Sequence, residues 1–239
     1  MSPHGVAARL AAVRSRIAEA CARAGRAPED VVLVAVSKGH PAARIREAYA
    51  AGQRVFGENY VQDLVAKAEA LGDLPDLAWH FIGHLQRNKA KHVARLGATV
   101  ETVDRVRLAE ALDRAVERAG AGPLPVLIQV NVGGEEQKSG CRPDDVAALA
   151  AAVRALPRLA LQGLMTVPPL GEHPQHARPH FARLRALRDE AGLAALSMGM
   201  SADREVAVEE GATLVRVGTA IFGPRPGAGP TRGSGEHAG

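Results

Sequence analysis

Aromatic side chains are scarce in this chain: four Phe, two Tyr and one Trp among 239 residues, or 3%. Ala, Val and Leu must therefore do the packing, and a hydrophobic content of 46% is enough for a folded core, which excludes wholesale disorder. Cysteine is almost absent. Cys21 and Cys141 lie far apart, with no CxxC or Cys/His metal spacing, so free thiols in a reducing compartment are the simplest reading. No apolar run is long enough to cross a bilayer. The amino-terminal stretch MSPHGVAARLAAVRSRI is amphipathic and lacks the apolar core of a secretory signal. The expectation is a soluble cytoplasmic protein with no membrane partner. Basic runs interleaved with aromatics are missing as well. The net charge is +4, but acids and bases alternate, and Arg87-Asn88-Lys89-Ala90-Lys91 reads as a solvated helix face. Nucleic acid is not an expected partner.

What the chain does have is strand-length apolar runs alternating with helical periodicity. Residues 31–38 (VVLVAVSK) show no polar alternation, the habit of a strand covered on both faces. Further strands are expected at 54–60, 79–85, 99–103, 125–132, 159–167, 193–198 and 214–222, with helices at 41–49, 61–71, 86–96, 106–118, 143–156, 176–191 and 203–210. One extra helix, 6–23, stands in front. Alternation of this kind means a parallel sheet. Eight strand–helix units in about 220 residues fit a closed (β/α)8 TIM-type barrel, the fold class being α/β; an open doubly wound sheet is the alternative. With no composition break or long linker, residues 1–223 read as one barrel domain. Residues 224–239, rich in Gly and Pro, read as a disordered tail.

In such a barrel the carboxyl ends of the strands form the working rim. The polar residues expected there are Lys38, Asn59, His84, Asn131, Thr166, Ser201 and Arg216. For a lone strand-end lysine, snorkelling to water is the ordinary reading, and for Ser201 a helix cap, with Asp203 another cap candidate. Two stretches change the balance. Ser197-Met198-Gly199-Met200-Ser201 and Arg216-Val217-Gly218-Thr219 fall after strands seven and eight, where barrels bind phosphate through free backbone N–H groups. Together with Lys38 on the first strand they describe a cradle for a phosphorylated aldehyde. Other chemistries lack their residues. GQRVFGE (residues 52–58) has phosphate-loop glycine spacing but Glu58 where lysine is required, and no HExxH or GxSxG occurs. His176 and His180 have a metal-compatible spacing with no completing Glu, so no metal is expected.

The strings VAVSK (34–38), FGENYVQ (56–62), WHFIGHLQRNK (79–89), KSG (138–140), GLMT (163–166), SMGMSAD (197–203) and VRVGTAIFG (215–223) resemble the pyridoxal-phosphate homeostasis protein family, over nearly the whole chain. Those proteins are similar to the N-terminal barrel of bacterial alanine racemase. The resemblance implies pyridoxal 5′-phosphate as cofactor, held as a Schiff base on Lys38. It also implies that Ser201, Gly218 and Thr219 hold the phosphate and that Arg216 faces the pyridine nitrogen. Asn59 would line the pocket near the ring, with His84 and Met198 at the rim. Arg204, where the family is often apolar, and the tail are departures expected to lie outside these contacts.

A partly desolvated lysine favours the neutral amine that attacks a carbonyl. An arginine opposite the ring nitrogen cannot protonate it, and an unprotonated pyridine is a weak electron sink. Racemisation would also need a second acid/base facing Lys38. Only Tyr49 and Tyr60 exist, and a packed or capping role is expected for Tyr60. The resulting expectation is a protein of pyridoxal-phosphate homeostasis with little or no turnover, a monomer that serves pyridoxal-phosphate-dependent apo-enzymes. The alternative is a racemase of narrow scope.

Overall fold

Eight parallel strands close on themselves in sequence order, β1 to β8. The computed structural model describes residues 5–169 and 171–225. The strands are β1 (Val32–Val36), β2 (Val55–Glu58), β3 (Ala78–Phe81), β4 (Thr99–Val103), β5 (Leu124–Gln129), β6 (Leu159–Met165), β7 (Ala195–Ser197) and β8 (Leu214–Val217). The helices among the described residues are α1 (Val6–Arg23), α2 (Ala42–Ala50), α3 (Val61–Ala70), α4 (Ala90–Leu96), α5 (Val106–Ala119), α6 (Val146–Arg154), α7 (Arg178–Glu190), α8 (Arg204–Glu209) and α9 (Thr219–Phe222). Pairing of β1 with β8, with Val34 opposite Arg216 and Ala35 opposite Val217, closes the barrel. That closure excludes the open sheet.

Strand alternation sorts side chains into two layers. Val34, Gly57, Glu101, Ser197 and Arg216 face the barrel interior. A Cβ placed on Gly57 would touch Val34 and Ile82. Ala35, Ser37, Phe56 and Glu58 face outward, under the helices. The outer layer is filled by Val, Ala and Leu with few rings: Phe56, Phe81 and Phe181 are its fully buried aromatics. Helix α1 seals the side next to the closure. Arg9 Nε donates to the Ile221 carbonyl at 2.7 Å, Arg26 to the Val208 carbonyl at 2.9 Å, and Arg16 pairs with Glu205 at 2.7 Å.

Three expectations need correction. The eighth strand does not run to residue 222: it stops at Val217, and residues 219–222 form α9. Most other strands are shorter than expected at their carboxyl ends, because the apolar run continues into the rim loops. The region 86–96 is a single 3-10 turn, Arg87–Lys89, followed by α4. Of the expected disordered tail, only Pro224 and Arg225 are described; residues 226–239 lie outside the described residues. Among the described residues no helix is long and apolar enough to cross a membrane.

Candidate functional site

Lys38 lies two residues beyond β1, inside a tight turn. The His40 N–H donates to the Ser37 carbonyl at 3.0 Å, and Gly39, the third turn residue, has φ +74°. That left-handed value is what a type II turn demands of its third position, and glycine adopts it without strain. The turn puts Lys38 at the corner, half-buried. Burial, then the nearby Arg225 charge, pull its amine below the ordinary lysine value, while Glu58 pushes the other way. The Arg225 stem crosses the turn: a Cβ on Gly39 would stand 3.1 Å from its Cδ.

Behind this turn, in the layer between sheet and helices, Glu58 is fully buried. Its Oε1 accepts from Ser37 Oγ at 2.6 Å and from Lys67 Nζ at 2.5 Å. Lys67, reaching in from α3, also donates to the Ser37 carbonyl at 2.9 Å. Burial pushes Glu58 up, against the pull of Lys67 and Ser37.

Inside the barrel a second network runs across four strands. Arg216, 4% exposed, donates from Nη1 to Ser197 Oγ at 2.5 Å and from Nη2 to the Thr166 carbonyl at 2.8 Å. Ser197 Oγ donates to Glu101 Oε2 at 2.5 Å, and His80 Nδ1 lies 2.6 Å from Glu101 Oε1. Burial pushes Glu101 up, but His80, Arg216 and Ser197 outweigh it, and its pKa lies below the ordinary carboxylate value. Two of the five guanidinium N–H donors are thus committed, and Nη1 also lies 3.8 Å from Glu101 Oε2.

The loop after β7 meets β8 where the Arg216 N–H donates to the Gly199 carbonyl at 3.0 Å. A Cβ on Gly218 would stand 3.1 Å from the Val36 carbonyl oxygen, so β8 turns into α9 directly against the end of β1. Glycine is the residue that allows that approach. Ser201 precedes α8 without capping it. Asp203 occupies the N-cap position with no side-chain bond to the helix; its carboxylate instead accepts from the Met200 N–H at 2.6 Å and shapes the loop. Arg204 is not remote from the site, as its guanidinium donates to the Ser201 carbonyl. Nor is the start of the tail, since Arg225 crosses the Lys38 turn.

The structure thus places Lys38 in the turn just beyond β1, Arg216 on the neighbouring β8, and Gly218 and Thr219 where β8 gives way to α9, with Ser201 on the loop between β7 and α8. Arg216 is buried beneath the rim rather than on it. Asn59 stands one strand away, lining a cavity of about 310 Å³ with Tyr60, Phe81, His84, Gln86 and Lys89. Tyr60 neither packs nor caps: it is 59% exposed and makes no side-chain cap. Tyr49 is away from the rim, its hydroxyl bonded to Asp76. Met198 is fully buried. Thr166 Oγ1 donates to the Val130 carbonyl at 2.8 Å and Asn131 Nδ2 to the Glu135 carbonyl at 2.8 Å, so both side chains brace loops. A cavity of about 440 Å³ lined by Arg14, Val32, Gln53 and Val55 opens at the opposite end of β1 and β2, away from Lys38.

Sequence reasoning missed Glu101, His80, Ser197, Glu58 and Lys67 as members of these networks. The available signal was an ionisable residue inside a strand buried on both faces, which is tolerated only when paired.

Fold and site together define a (β/α)8 barrel with a half-buried amine at the end of its first strand and a buried arginine on its last. A family model described as alanine racemase, N-terminal domain, matches residues 8–226. A pyridoxal phosphate homeostasis protein of Pseudomonas aeruginosa is 53% identical over 92% of this chain and 96% of its own length. The Synechococcus elongatus protein PipY, solved with PLP bound, superposes with a TM-score of 0.80 at 42% identity, over 91% of this chain and all of that one. An alanine racemase from Bartonella henselae with covalently bound pyridoxal phosphate shares the fold (TM-score 0.71, 18% identity), over 95% of this chain but 62% of its own. The chain belongs to the family of alanine racemase N-terminal domains and, within it, to the pyridoxal phosphate homeostasis proteins.

Proposed function

We propose that this protein binds pyridoxal 5′-phosphate covalently through Lys38 and serves its cytoplasmic storage and delivery to apo-enzymes, with little or no turnover. The observation that carries this reading is the closure of the barrel, which sets the end of β1, and with it the Lys38 turn, against the β8–α9 junction. The donor set fits such a ligand. Burial keeps Lys38 closer to its neutral, nucleophilic form. In the bond-forming step the amine nitrogen adds to the aldehyde carbon, a C=N bond forms and one water leaves. Thr219 and Ala220 open α9, where backbone N–H groups have no intrahelical acceptor. With the Ser201 and Thr219 hydroxyls they supply donors for a phosphate. Arg216 has N–H donors left for a ring nitrogen; burial pulls its pKa down and Glu101 opposes that, and as a guanidinium it can donate to that nitrogen but not protonate it. When bound, the cofactor supplies a reactive aldehyde and an electron sink, and Arg216 keeps that sink weak.

The test is borohydride reduction of protein incubated with pyridoxal phosphate, followed by intact mass and peptide mapping. One adduct on Lys38 is expected, and none in Lys38→Ala; wild-type protein without an adduct at Lys38 overturns the reading. The exposure of Tyr60 beside Asn59 favours one second reading, a narrow racemase with Tyr60 as the opposing acid/base. Solvent deuterium exchange at the α-carbon of amino acids decides it. Exchange that requires Lys38 and disappears in Tyr60→Phe would make the protein an enzyme, whereas none is expected.

A further inference from the structure

We propose that Lys67 and Glu58 are positioning residues for Lys38, a buried clasp that fixes the peptide on which the reactive amine is carried. The inference rests on the reading of Lys38 as the cofactor-binding lysine, and it adds residues that touch no cofactor.

The geometry is convergent. Three bonds hold the backbone of Ser37, the residue before Lys38: its N–H donates to the Gly57 carbonyl at 3.1 Å, and its carbonyl accepts from the His40 N–H at 3.0 Å and from Lys67 Nζ at 2.9 Å. The first two belong to the strand ladder and the turn and are ordinary at a strand end. The third comes from a separate helix, and it is delivered by an ammonium that has been taken almost wholly out of water, since Lys67 is 9% exposed and Glu58 0%. Burying such a pair is costly, and well-packed apolar residues in its place are often neutral or stabilising. Stability therefore does not account for it. The pair also does not exhaust its own bonding: Glu58 Oε2 has no hydrogen-bond partner, while Oε1 takes both Lys67 and the Ser37 hydroxyl. Every bond the carboxylate makes is thus spent on residue 37 or on the lysine that grips residue 37. Glu58 lies on β2 and Lys67 on α3, so the clasp ties the Lys38 turn to two rigid elements. A nucleophile held this way keeps a reactive geometry that a free turn would lose.

The experiment separates covalent capture from simple docking. Dissociation constants are measured for pyridoxal 5′-phosphate, which reacts with an amine, and for pyridoxine 5′-phosphate, which has no aldehyde. The variants are Lys67→Met with Glu58→Leu, which removes both charges at once, and Glu58→Gln, which keeps the shape. For the double variant a loss of roughly tenfold or more in aldehyde affinity is expected, with alcohol affinity within about twofold of wild type. Borohydride-trapped adduct at Lys38 should fall in parallel. Glu58→Gln should show the same split at roughly threefold, and it decides the matter should the double variant not fold. Unchanged aldehyde affinity in a folded variant, or equal losses for both ligands, overturns the clasp. Wild-type protein with no adduct at Lys38 would instead overturn the function itself, so the two failures are told apart.

Discussion

Replacing Glu101 with leucine should remove the counter-charge from the barrel interior while nearly conserving volume. Arg216 Nη1 and Glu101 Oε2 stand 3.8 Å apart, both groups being buried, so solvent screening does not discount their attraction. At an effective dielectric near 20, that separation corresponds to about 4 kcal/mol, within the ~3–5 kcal/mol typical of breaking a buried pair by removing one partner. Glu101→Leu also strips the acceptor from Ser197 Oγ and from His80 Nδ1. The expected loss is therefore about 4 kcal/mol in urea unfolding at neutral pH, and ~8–16 °C in thermal midpoint for a domain of this size. Arg216→Leu alone should cost a similar amount, since it leaves Glu101 as the unpaired charge. The double variant should lose far less than the sum of the two, because no buried charge is then left without a partner. A single variant within about 1 kcal/mol of wild type, or a double variant additive to within about 0.5 kcal/mol, would refute the claim that these groups act as a pair.

Two smaller predictions concern titration. Arg225→Ala removes a like charge from Lys38; the amine pKa then rises, less neutral amine is present at pH 7.5, and covalent capture there should slow by a factor of roughly 2–5, the range for an exposed charge. Stopped-flow absorbance against pH checks it, and an unchanged pH profile would remove Arg225 from the account. Cys141 is buried, and desolvation pushes its thiol from 9.0 to about 12. The folded protein then keeps a proton that the unfolded chain gives up, so stability is full below pH 9 and falls by up to about 1.4 kcal/mol per pH unit between 9 and 12. Urea unfolding across that range should show a shallower alkaline slope in Cys141→Ala; identical slopes would count against it.

The barrel was legible because a strand buried on both faces has no alternation to hide, and runs such as VVLVAV and PVLIQV stand out between helical periods. Strand ends were not legible. Apolar side chains continue past them into the rim, as Val132 and Leu85 do, both buried although outside a strand. The stretch 214–222 read as one strand because α9 is a single turn, too short to show a helical period. Lys38, Ser201 and Thr219 could be placed from strand order and loop type. Glu101 could not: in TVETV it looks like a polar interruption that weakens a strand, and only the closed barrel shows that it faces Arg216 across the interior. In sequence Glu58 reads only as the residue that spoils a phosphate loop, whereas its partner Lys67 lies nine residues on, along a helix whose facing depends on tertiary packing.

The two polar networks lie on opposite faces of the barrel wall, one outside it at β1 and β2 and the other inside it on β3, β4, β7 and β8, and the register of β1 decides on which face each residue at its end falls. Side chains alternate with a period of two, so slipping β1 by one residue would turn Ser37 into the barrel and Lys38 out under the helices. The slip would separate Ser37 from Glu58 and set a different residue opposite Arg216. The pairing at this seam is correspondingly extensive. Strands β1 and β8 share four paired positions, from Val32 with Leu214 to Ala35 with Val217, whereas β7 and β8 share one, Ser197 with Leu214. The contact of Gly218 with the Val36 carbonyl carries the same register past the end of the ladder. A bulkier residue at 218 would therefore act on Lys38 through β1, before it acted on any phosphate.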